Sequence, residues 1–275
     1  MSLQKANEGG LVLLGCGRMG SALLKGWLEA GVDPKAVTVL DPHPGDWLKM
    51  LEGKGLRLNT PVAKAAVCVL AVKPQLIEAA GDLKALGGGN TLFVSVAAGS
   101  TLAALEAILG AGTPVVRSMP NTPAAIGQGI TALVGNAHCE ASDLDLADQM
   151  LRAVGQTVRV ESEAQMDAVT GVSGSGPAYV FHLIESLAAA GEVQGLKPDV
   201  AMKLAVATVA GAGALAQSST ESAAQLRRNV TSPNGTTEAG LQVLMDDDKG
   251  LPVLMRQTVR AATERSKELA KGAEG

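Results

Sequence analysis

Short aliphatic runs alternate with helix-like segments along the first part of the chain. Strand candidates occupy residues 11–14, 37–40, 67–72, 91–96, 114–117 and 130–134, and helix candidates occupy 19–30, 74–86, 101–109 and 141–154. The strand candidates are continuous apolar runs, which are typical of strands buried on both faces of a sheet. This alternation predicts βαβ units and therefore an α/β fold with a mostly parallel sheet.

The pattern changes near Val160, and only helical segments follow. The candidates are residues 178–190, 198–217, 222–229, 237–245 and 251–271. We therefore divide the chain into an α/β domain, residues 1–162, and an all-helical domain, residues 163–275. The segment 201–216 carries small residues on nearly every face, and such residues bury little area, so this helix needs dense neighbours. We favour a homodimer through the helical domain over packing within one chain.

The charge balance argues against two classes of partner. The net charge is −4, whereas a nucleic acid or an anionic membrane surface is bound by a clustered basic excess. Aromatic residues make up only 2% of the chain, so stacking platforms for single-stranded nucleic acid are also missing. We expect a small-molecule substrate, no nucleic acid and no membrane partner.

Cysteine usage and the apolar segments indicate a cytoplasmic protein. Cys16, Cys68 and Cys139 stand at scattered positions that predict neither a disulfide framework nor a metal site. The first ten residues lack the apolar stretch of a secretory signal. Residues 204–220 carry no charge, but they are too weakly apolar for a membrane span of about 20 residues. We predict a buried helix there.

The strongest local motif is a glycine-rich turn that follows the first predicted strand and opens the first predicted helix. Its residues are Gly15, Cys16, Gly17, Arg18, Met19 and Gly20. Gly15 permits the tight turn, Gly17 lets the backbone approach a pyrophosphate, and Gly20 lets the helix pack on the strand. This context favours a Rossmann-like dinucleotide-binding domain over a mere tight turn.

Asp41 follows the second predicted strand, 21 residues beyond Gly20. A carboxylate there accepts hydrogen bonds from the adenine ribose of NAD and repels a 2′-phosphate. His43 and Lys49 could partly offset its charge, and an Asp-Pro pair is also an ordinary start of a turn. The cofactor is thus NADPH or NADH at this point.

Other polar residues follow later strands, and the carboxyl ends of parallel strands face the ligand in such sheets. Ala71, Val72, Lys73 and Pro74 follow one strand, and Lys73 faces either the cofactor or solvent. The small residues 95–99 end the next strand and leave room for a flat ring. Asn121 lies in a stiff, proline-flanked segment after the strand that ends at Arg117, and we favour a substrate contact for it.

Two patches rich in glycine and hydroxyl groups each open a helix in the helical domain. They are residues 170–179, with Ser173, Gly174 and Ser175, and residues 231–238, with Ser232, Gly235, Thr236 and Thr237. Free N–H groups at a helix N-terminus suit a carboxylate, although Ser and Thr also serve as ordinary caps. No Tyr-xxx-Lys pair or His/Asp pair accompanies them. A dehydrogenase acting on an alcohol needs such a base, so the sequence favours C=N over C=O chemistry.

These motifs together resemble the pyrroline-5-carboxylate reductase family over essentially the whole chain. The resemblance implies a Rossmann domain, a helical domain that interlocks with a second subunit, and in many members a larger ring of dimers. It implies reduction of L-1-pyrroline-5-carboxylate to L-proline by NAD(P)H, the last step of proline biosynthesis. Its implied substrate contacts are Ser232, Gly235, Thr236 and Thr237 on one side and Ser173, Gly174 and Ser175 on the other, with Thr237 as the proton relay. Asn59, Ala71, Lys73 and Pro74 are implied contacts of the nicotinamide half.

The chain departs from the family pattern at two positions. Asn234 stands where the family's turn has a second glycine, and Asn tolerates a positive φ best after Gly, so we expect the turn to survive. Asp41 departs from members that are selective for NADPH.

Two rival interpretations stay open at this point. A β-hydroxyacid dehydrogenase would place a catalytic lysine on the helix that opens the second domain, and residues 178–190 contain none. A non-catalytic dinucleotide sensor would not need the two hydroxyl-rich patches.

Overall fold

The computed structural model describes residues 2–73, 76–77 and 81–272, which group into two compact units. The first unit runs up to Gly174 and takes in the chain again from Ala262. The second unit is Ser175–Ala261.

One eight-stranded sheet forms the centre of the first unit. Its strands are β1 (Leu11–Leu14), β2 (Val37–Leu40), β3 (Arg57–Leu58), β4 (Val67–Leu70), β5 (Leu92–Ser95), β6 (Val115–Met119), β7 (Gly129–Gly135) and β8 (Gly155–Arg159). The α-helices of this unit before its break are α1 (Ser2–Gly9), α2 (Arg18–Glu29), α3 (Asp46–Glu52), α4 (Leu102–Leu109), α5 (Ala141–Leu151) and α6 (Met166–Val169). Short 3-10 helices at Pro34–Ala36, Gly81–Leu86, Thr122–Ile126, Arg152–Val154 and Glu163–Gln165 and a π-helical turn at Thr170–Gly174 complete it.

The strand order is β3-β2-β1-β4-β5-β6-β7-β8. Strands β1 to β6 pair in parallel, β7 is antiparallel to β6, and β8 runs parallel to β7. The chain moves outward from β1 in one direction through β2 and β3, and then in the other direction from β4. Strand β1 therefore lies at the topological switch point, where open α/β sheets bind ligands beyond the carboxyl ends of their strands.

The central strands β1, β4 and β5 are buried on both faces. In β1, Leu11 and Leu13 belong to one apolar cluster, and Val12 and Leu14 belong to another. This explains the continuous apolar runs of the sequence, because successive side chains of a strand point to opposite faces. Trp27 of α2 is fully buried in the first cluster, and its indole N–H donates to the carbonyl of Met150 over 2.9 Å.

The six predicted strands are confirmed, with small changes at their ends. The sequence patterns missed β3, β8, α1 and α3, and the antiparallel direction of β7 was not foreseen. The predicted helix 141–154 ends as an α-helix at Leu151 and continues as the 3-10 helix Arg152–Val154. Part of the predicted helix 74–86 falls outside the described residues, and Gly81–Leu86 is a 3-10 helix.

The second unit is helical. Its helices are α7 (Gly176–Val193), α8 (Pro198–Ser218), α9 (Ala223–Asn229), α10 (Thr236–Leu244) and the first part of α11 (Leu251–Gly272). Helices α7 and α8 pack together through a small cluster in which Ala188, Ala201 and Ala205 are buried.

The prediction of a buried helix over residues 204–220 is wrong for the single chain. Within α8, Leu204 is 52% exposed and Leu215 is 56% exposed. The physical reason is the composition of the helix, since its small side chains build only the narrow alanine contact with α7 and leave the larger ones in solvent. By length and composition α8 is also the one helix of the described chain that could cross a membrane.

Candidate active site

The turn between β1 and α2 needs its first and last glycines for close packing. Gly15 has φ +85°, and a Cβ there would lie 2.3 Å from Cγ1 of Val72 and 2.8 Å from the carbonyl oxygen of Ala71. A Cβ at Gly20 would lie 2.2 Å from the carbonyl oxygen of Gly15. A side chain at Gly20 would push α2 away from the turn, and a side chain at Gly15 would displace the segment that follows β4.

The middle glycine of the turn faces open space. Gly17 is the N-cap of α2, makes no side-chain cap, and has no atom within 4 Å of the place that a Cβ would take. Arg18 is exposed as the first helical residue, and Met19 packs partly against the core. The helix N-terminus therefore offers N–H groups and an open approach to a pyrophosphate, which the residues present fit.

Asp41 is tied to this turn by its side chain. Its Oδ2 accepts a hydrogen bond from the backbone N–H of Cys16 over 2.7 Å, and its Oδ1 accepts one from the backbone N–H of His43 over 2.8 Å. Burial raises the pKa of the Cys16 thiol to about 12, and the neighbouring Asp41 charge raises it further in the same direction. Cys16 is thus a neutral packing residue rather than a nucleophile.

Asn59 holds the backbone of Asp41. Its Oδ1 accepts from the N–H of Asp41, and its Nδ2 donates to the carbonyl of Asp41, both over 2.8 Å. Asn59 itself has φ +50°, and its N–H donates to the carbonyl of Val39. Its amide therefore fixes the end of β2, a role that the sequence-based assignment to the nicotinamide half did not include.

The residues after β4 lie beside the glycine turn. The N–H of Ala71 donates to the carbonyl of Leu14 over 2.8 Å, which continues the pairing of β4 with β1. Val72 is half-buried against Gly15, whereas the Lys73 side chain is exposed. Pro74, predicted as a cofactor contact, lies outside the described residues.

Asn121 connects two segments of the first unit. It precedes the 3-10 helix Thr122–Ile126, and its Oδ1 accepts from the N–H of Ile130 over 2.9 Å. This hydrogen bond fastens the start of β7 to the segment after β6. The predicted substrate contact of Asn121 stays a prediction.

A buried ion pair supports the same region, and nothing in the sequence pattern revealed it. Arg117, 6% exposed in the middle of β6, donates through Nη1 to Oε1 of Glu163 over 2.7 Å. The same oxygen accepts from the N–H of Leu102 at the start of α4. The pairing joins residues 46 positions apart, a separation that no local pattern reports.

The first hydroxyl-rich patch crosses the boundary between the units. Ser173 and Gly174 close the π-helical turn, and the Ser173 hydroxyl donates to the carbonyl of Val169 over 3.2 Å. A Cβ at Gly174 would lie 2.5 Å from Cε of Met119. Ser175 is the N-cap of α7 but makes no side-chain cap, so ordinary capping does not account for its hydroxyl. Such π-turns occur often at functional sites.

The second patch forms a tight turn before α10. Asn234 has φ +57°, as expected for an Asn in the place of a glycine, and its N–H donates to Oε2 of Glu238 over 2.7 Å. The N–H of Gly235 donates to the carbonyl of Ser232, and Gly235 caps the helix without a side chain. At this helix start the side chains of Ser232 and Thr236 are exposed, and that of Thr237 is half-buried.

The two patches and the glycine turn offer hydrogen-bond donors rather than a metal or an acid–base pair. Among the described residues, no group of three or more His, Cys, Asp or Glu side chains is placed to hold a metal ion. The three cysteines are free thiols. Taken separately, the glycine turn suits the binding of a pyrophosphate, and the start of α10 suits the binding of a carboxylate.

Comparison with known proteins gives consistent matches over both halves of the chain. The family model described as pyrroline-5-carboxylate reductase dimerisation matches residues 163–269, and one described as NADP oxidoreductase, coenzyme F420-dependent, matches residues 11–99. A pyrroline-5-carboxylate reductase of Pseudomonas aeruginosa is 42% identical over 265 residues, which cover 94% of this chain and 96% of the relative. One of Synechocystis sp. is 39% identical over 269 residues, covering 95% and 98%.

Solved structures agree with the sequence relatives. The structure of a pyrroline-5-carboxylate reductase from Coxiella burnetii is 36% identical, has a TM-score of 0.89, and covers 96% of this chain and 99% of its own. The Plasmodium falciparum pyrroline carboxylate reductase, crystallised with NADP bound, is 27% identical with a TM-score of 0.78, covering 96% and 99%. The predicted family and the Rossmann-like fold with a following helical domain are thereby confirmed.

Proposed function

The chain belongs to the pyrroline-5-carboxylate reductase family, and from this premise we propose which of its residues carry out the reaction. The protein is an oxidoreductase that reduces L-1-pyrroline-5-carboxylate to L-proline with NAD(P)H, the final step of proline biosynthesis. The observation that carries this function is similarity over nearly the whole chain rather than over one motif.

The cofactor site that we propose surrounds the carboxyl ends of β1, β2 and β4. The pyrophosphate binds the N–H groups at the start of α2, where Gly17 leaves the approach open. The proposed contacts are Gly15, Cys16, Gly17, Arg18, Met19 and Gly20 of the turn, Asp41 on the adenosine side, and Ala71, Val72, Lys73 and Pro74 after β4. We move Asn59 from the nicotinamide half to the adenosine side, because its amide bonds the backbone of Asp41.

The substrate contacts that we propose come from the two hydroxyl-rich patches and from Asn121. Ser232, Gly235, Thr236 and Thr237 hold the carboxylate and ring nitrogen, and Ser173, Gly174 and Ser175 line the other side. Support comes from the start of α10, because its N-cap, Gly235, has no side chain to occupy the helix N–H groups. A helix N-terminus favours a carboxylate both by these donors and by its dipole.

The reaction requires little from the protein beyond binding the substrate and the cofactor in the correct relative orientation. Bound NAD(P)H supplies the hydride that adds to the C=N carbon. The nitrogen of the substrate already carries positive charge when protonated, so no strong base is needed. The protonated nitrogen donates a hydrogen bond to the hydroxyl oxygen of Thr237. Hydride addition leaves a neutral amine with a lone pair, to which the Thr237 hydroxyl donates its proton while it regains one from water. Catalysis then rests mostly on proximity and orientation.

The rival functions account for fewer observations. A β-hydroxyacid dehydrogenase needs a catalytic lysine on the helix that opens the second unit, and α7 (Gly176–Val193) contains none. A dinucleotide sensor would bind the cofactor without turning over an imine, so the assay below distinguishes it.

We also propose the cellular context and assembly. Residues 1–162 bind the dinucleotide, and residues 163–275 bind substrate and dimerise; their match to the family's dimerisation model at 163–269 supports this division. The protein works in the cytoplasm as a homodimer, which can assemble further into a ring, without nucleic acid or membrane partners.

The test of the proposed roles is the decay of reduced-nicotinamide absorbance with pyrroline-5-carboxylate. Thr237→Ala should lower kcat by tens-fold or less, because one neutral hydrogen bond contributes about 0.5–1.5 kcal/mol. Thr237→Ser keeps the hydroxyl and should restore most of the rate. A loss of several thousandfold in Thr237→Ala would contradict an assisting role.

Gly17→Val tests the cofactor half separately. The added side chain fills the open space at the turn, so it should abolish binding of both reduced cofactors. The thermal unfolding temperature should fall only slightly, because valine is a poorer N-cap of α2 than glycine. Unchanged cofactor affinity would overturn the proposed pyrophosphate site.

A further inference from the structure

The carboxylate of Asp41 lies where an α/β sheet of this kind meets the adenine ribose of a dinucleotide. Asp41 follows β2, next to the strand that leads into the glycine turn. An acid at this point accepts hydrogen bonds from the 2′- and 3′-hydroxyl groups. We propose that Asp41 makes this enzyme select NADH over NADPH, an inference that rests on the proposed cofactor site.

Both carboxylate oxygens are positioned by backbone groups. Oδ2 accepts from the N–H of Cys16 over 2.7 Å, and Oδ1 accepts from the N–H of His43 over 2.8 Å. A carboxylate oxygen has two acceptor positions, so each oxygen keeps one for a ribose hydroxyl. A ribose 2′-hydroxyl can donate to such an oxygen, whereas an ionised 2′-phosphate cannot.

The side chain is also prevented from turning away. The amide of Asn59 bonds both the N–H and the carbonyl of Asp41, each over 2.8 Å, and so clamps its backbone. Moving the carboxylate aside would break its two bonds to the N–H groups of Cys16 and His43. A 2′-phosphate would therefore either sit beside a fixed negative charge or disrupt the turn.

Two cations of the elements next to β2 have other polar partners than Asp41. Nζ of Lys49 lies 3.4 Å from a carboxylate oxygen of Asp46, and Nε of Arg57 donates to the hydroxyl of Thr38 over 2.9 Å. Arg18 is the first residue of α2, at the pyrophosphate end of the turn. Its positive charge acts on the pyrophosphate, which NADH and NADPH both contain, so Arg18 does not discriminate between the two cofactors.

Isothermal titration of the purified enzyme with NADH and with NADPH, without substrate, tests the proposal. We expect NADH to bind at least about tenfold more tightly than NADPH. This is the expected size of the repulsion between the Asp41 carboxylate and a partly exposed 2′-phosphate. Asp41→Asn removes the charge and should reduce the ratio to about threefold or less. A second variant, Asp41→Ser, is needed because the side-chain NH2 of an asparagine is a donor. In Asp41→Asn this group would face the N–H of Cys16 or of His43, neither of which it can accept from.

The matched control is Glu52→Gln, which removes one negative charge from the exposed end of α3 and should leave the ratio unchanged. Equal or tighter binding of NADPH by the unmodified enzyme would overturn the proposal. An unchanged ratio in both Asp41 variants, with both cofactors still bound, would also overturn it. If neither cofactor binds the unmodified enzyme, the proposed cofactor site itself fails, and this inference fails with it.

Discussion

The two units of the chain bury their apolar residues in very different ways. The first unit encloses Trp27 and Phe93 completely within clusters on the two faces of its sheet. In the second unit, only three alanines form the buried cluster between α7 and α8, while Phe181 is 60% exposed. The first unit can therefore be stabilised within one chain, whereas the helices of the second unit expose apolar surface that favours contact with a partner.

This contrast agrees with the proposed homodimer. Large apolar side chains exposed along several helices are rare on monomeric proteins and mark interaction surfaces. The match of residues 163–269 to a dimerisation model lies over the same helices. Three substitutions, each with a matched control, test how each unit is stabilised.

The largest effect is expected from Trp27→Ala in the first unit. It removes a fully buried indole and its hydrogen bond to Met150, so it should lower the free energy of unfolding by about 3–5 kcal/mol. Chemical denaturation at a fixed protein concentration measures the change. Trp47→Ala is the control, because Trp47 is only partly buried, and it should cost less than half as much. Equal losses would show that the core does not dominate the stability of this unit.

A smaller loss is expected from Arg117→Met, which leaves the carboxylate of Glu163 without its buried partner. Their side chains are 8% and 30% exposed, so we expect a loss of about 2–3 kcal/mol, below the range of a fully buried pair. Arg152→Met breaks an ion pair with Asp148 whose arginine is 62% exposed, and it should cost less than about 1 kcal/mol. The same denaturation experiment compares them, and a larger loss in Arg152→Met would refute the ranking.

The smallest effect on stability is expected from Leu204→Ser in the second unit. Leu204 is 52% exposed in the single chain, so the free energy of unfolding of that chain should fall by less than about 0.5 kcal/mol. The dimer dissociation constant should rise by about tenfold or more, because an apolar contact is lost from each copy. Sedimentation over a dilution series measures it.

Met50→Ser is the matched control for association. Met50 is 55% exposed in the first unit, so it presents a similar apolar surface outside the helical unit. Its dissociation constant should stay unchanged. If the two variants weakened the dimer equally, the contrast between the units would not explain assembly.

Much of the fold was predictable from the sequence because buried strands and long helices leave periodic patterns. Strand β3, Arg57–Leu58, is too short for any pattern, and β8, Gly155–Arg159, is largely polar and exposed. The direction of β7 depends on pairing with β6, which local sequence does not encode. The exposure of α8 also escaped prediction. The apolar pattern of a helix is the same whether residues of its own chain or of another copy cover it.

The candidate site was predictable where a motif dictates backbone geometry. The roles of Gly15 and Gly20 and the positive φ of Asn234 follow from local sequence. The contact of Asn59 with Asp41 joins residues 18 positions apart, so it emerged only from the folded chain. Long-range pairings of this kind decide what a polar side chain can still offer to a ligand.

The two edge strands of the sheet affect how easily copies of the protein aggregate. One edge strand is β3, with only two residues, and the other is β8, where Arg159 pairs with Asp145. Short or charged outer strands give a neighbouring chain little backbone on which to add a strand, and so resist amyloid-like growth. The outer strands of this sheet therefore disfavour its extension from one copy of the protein to the next.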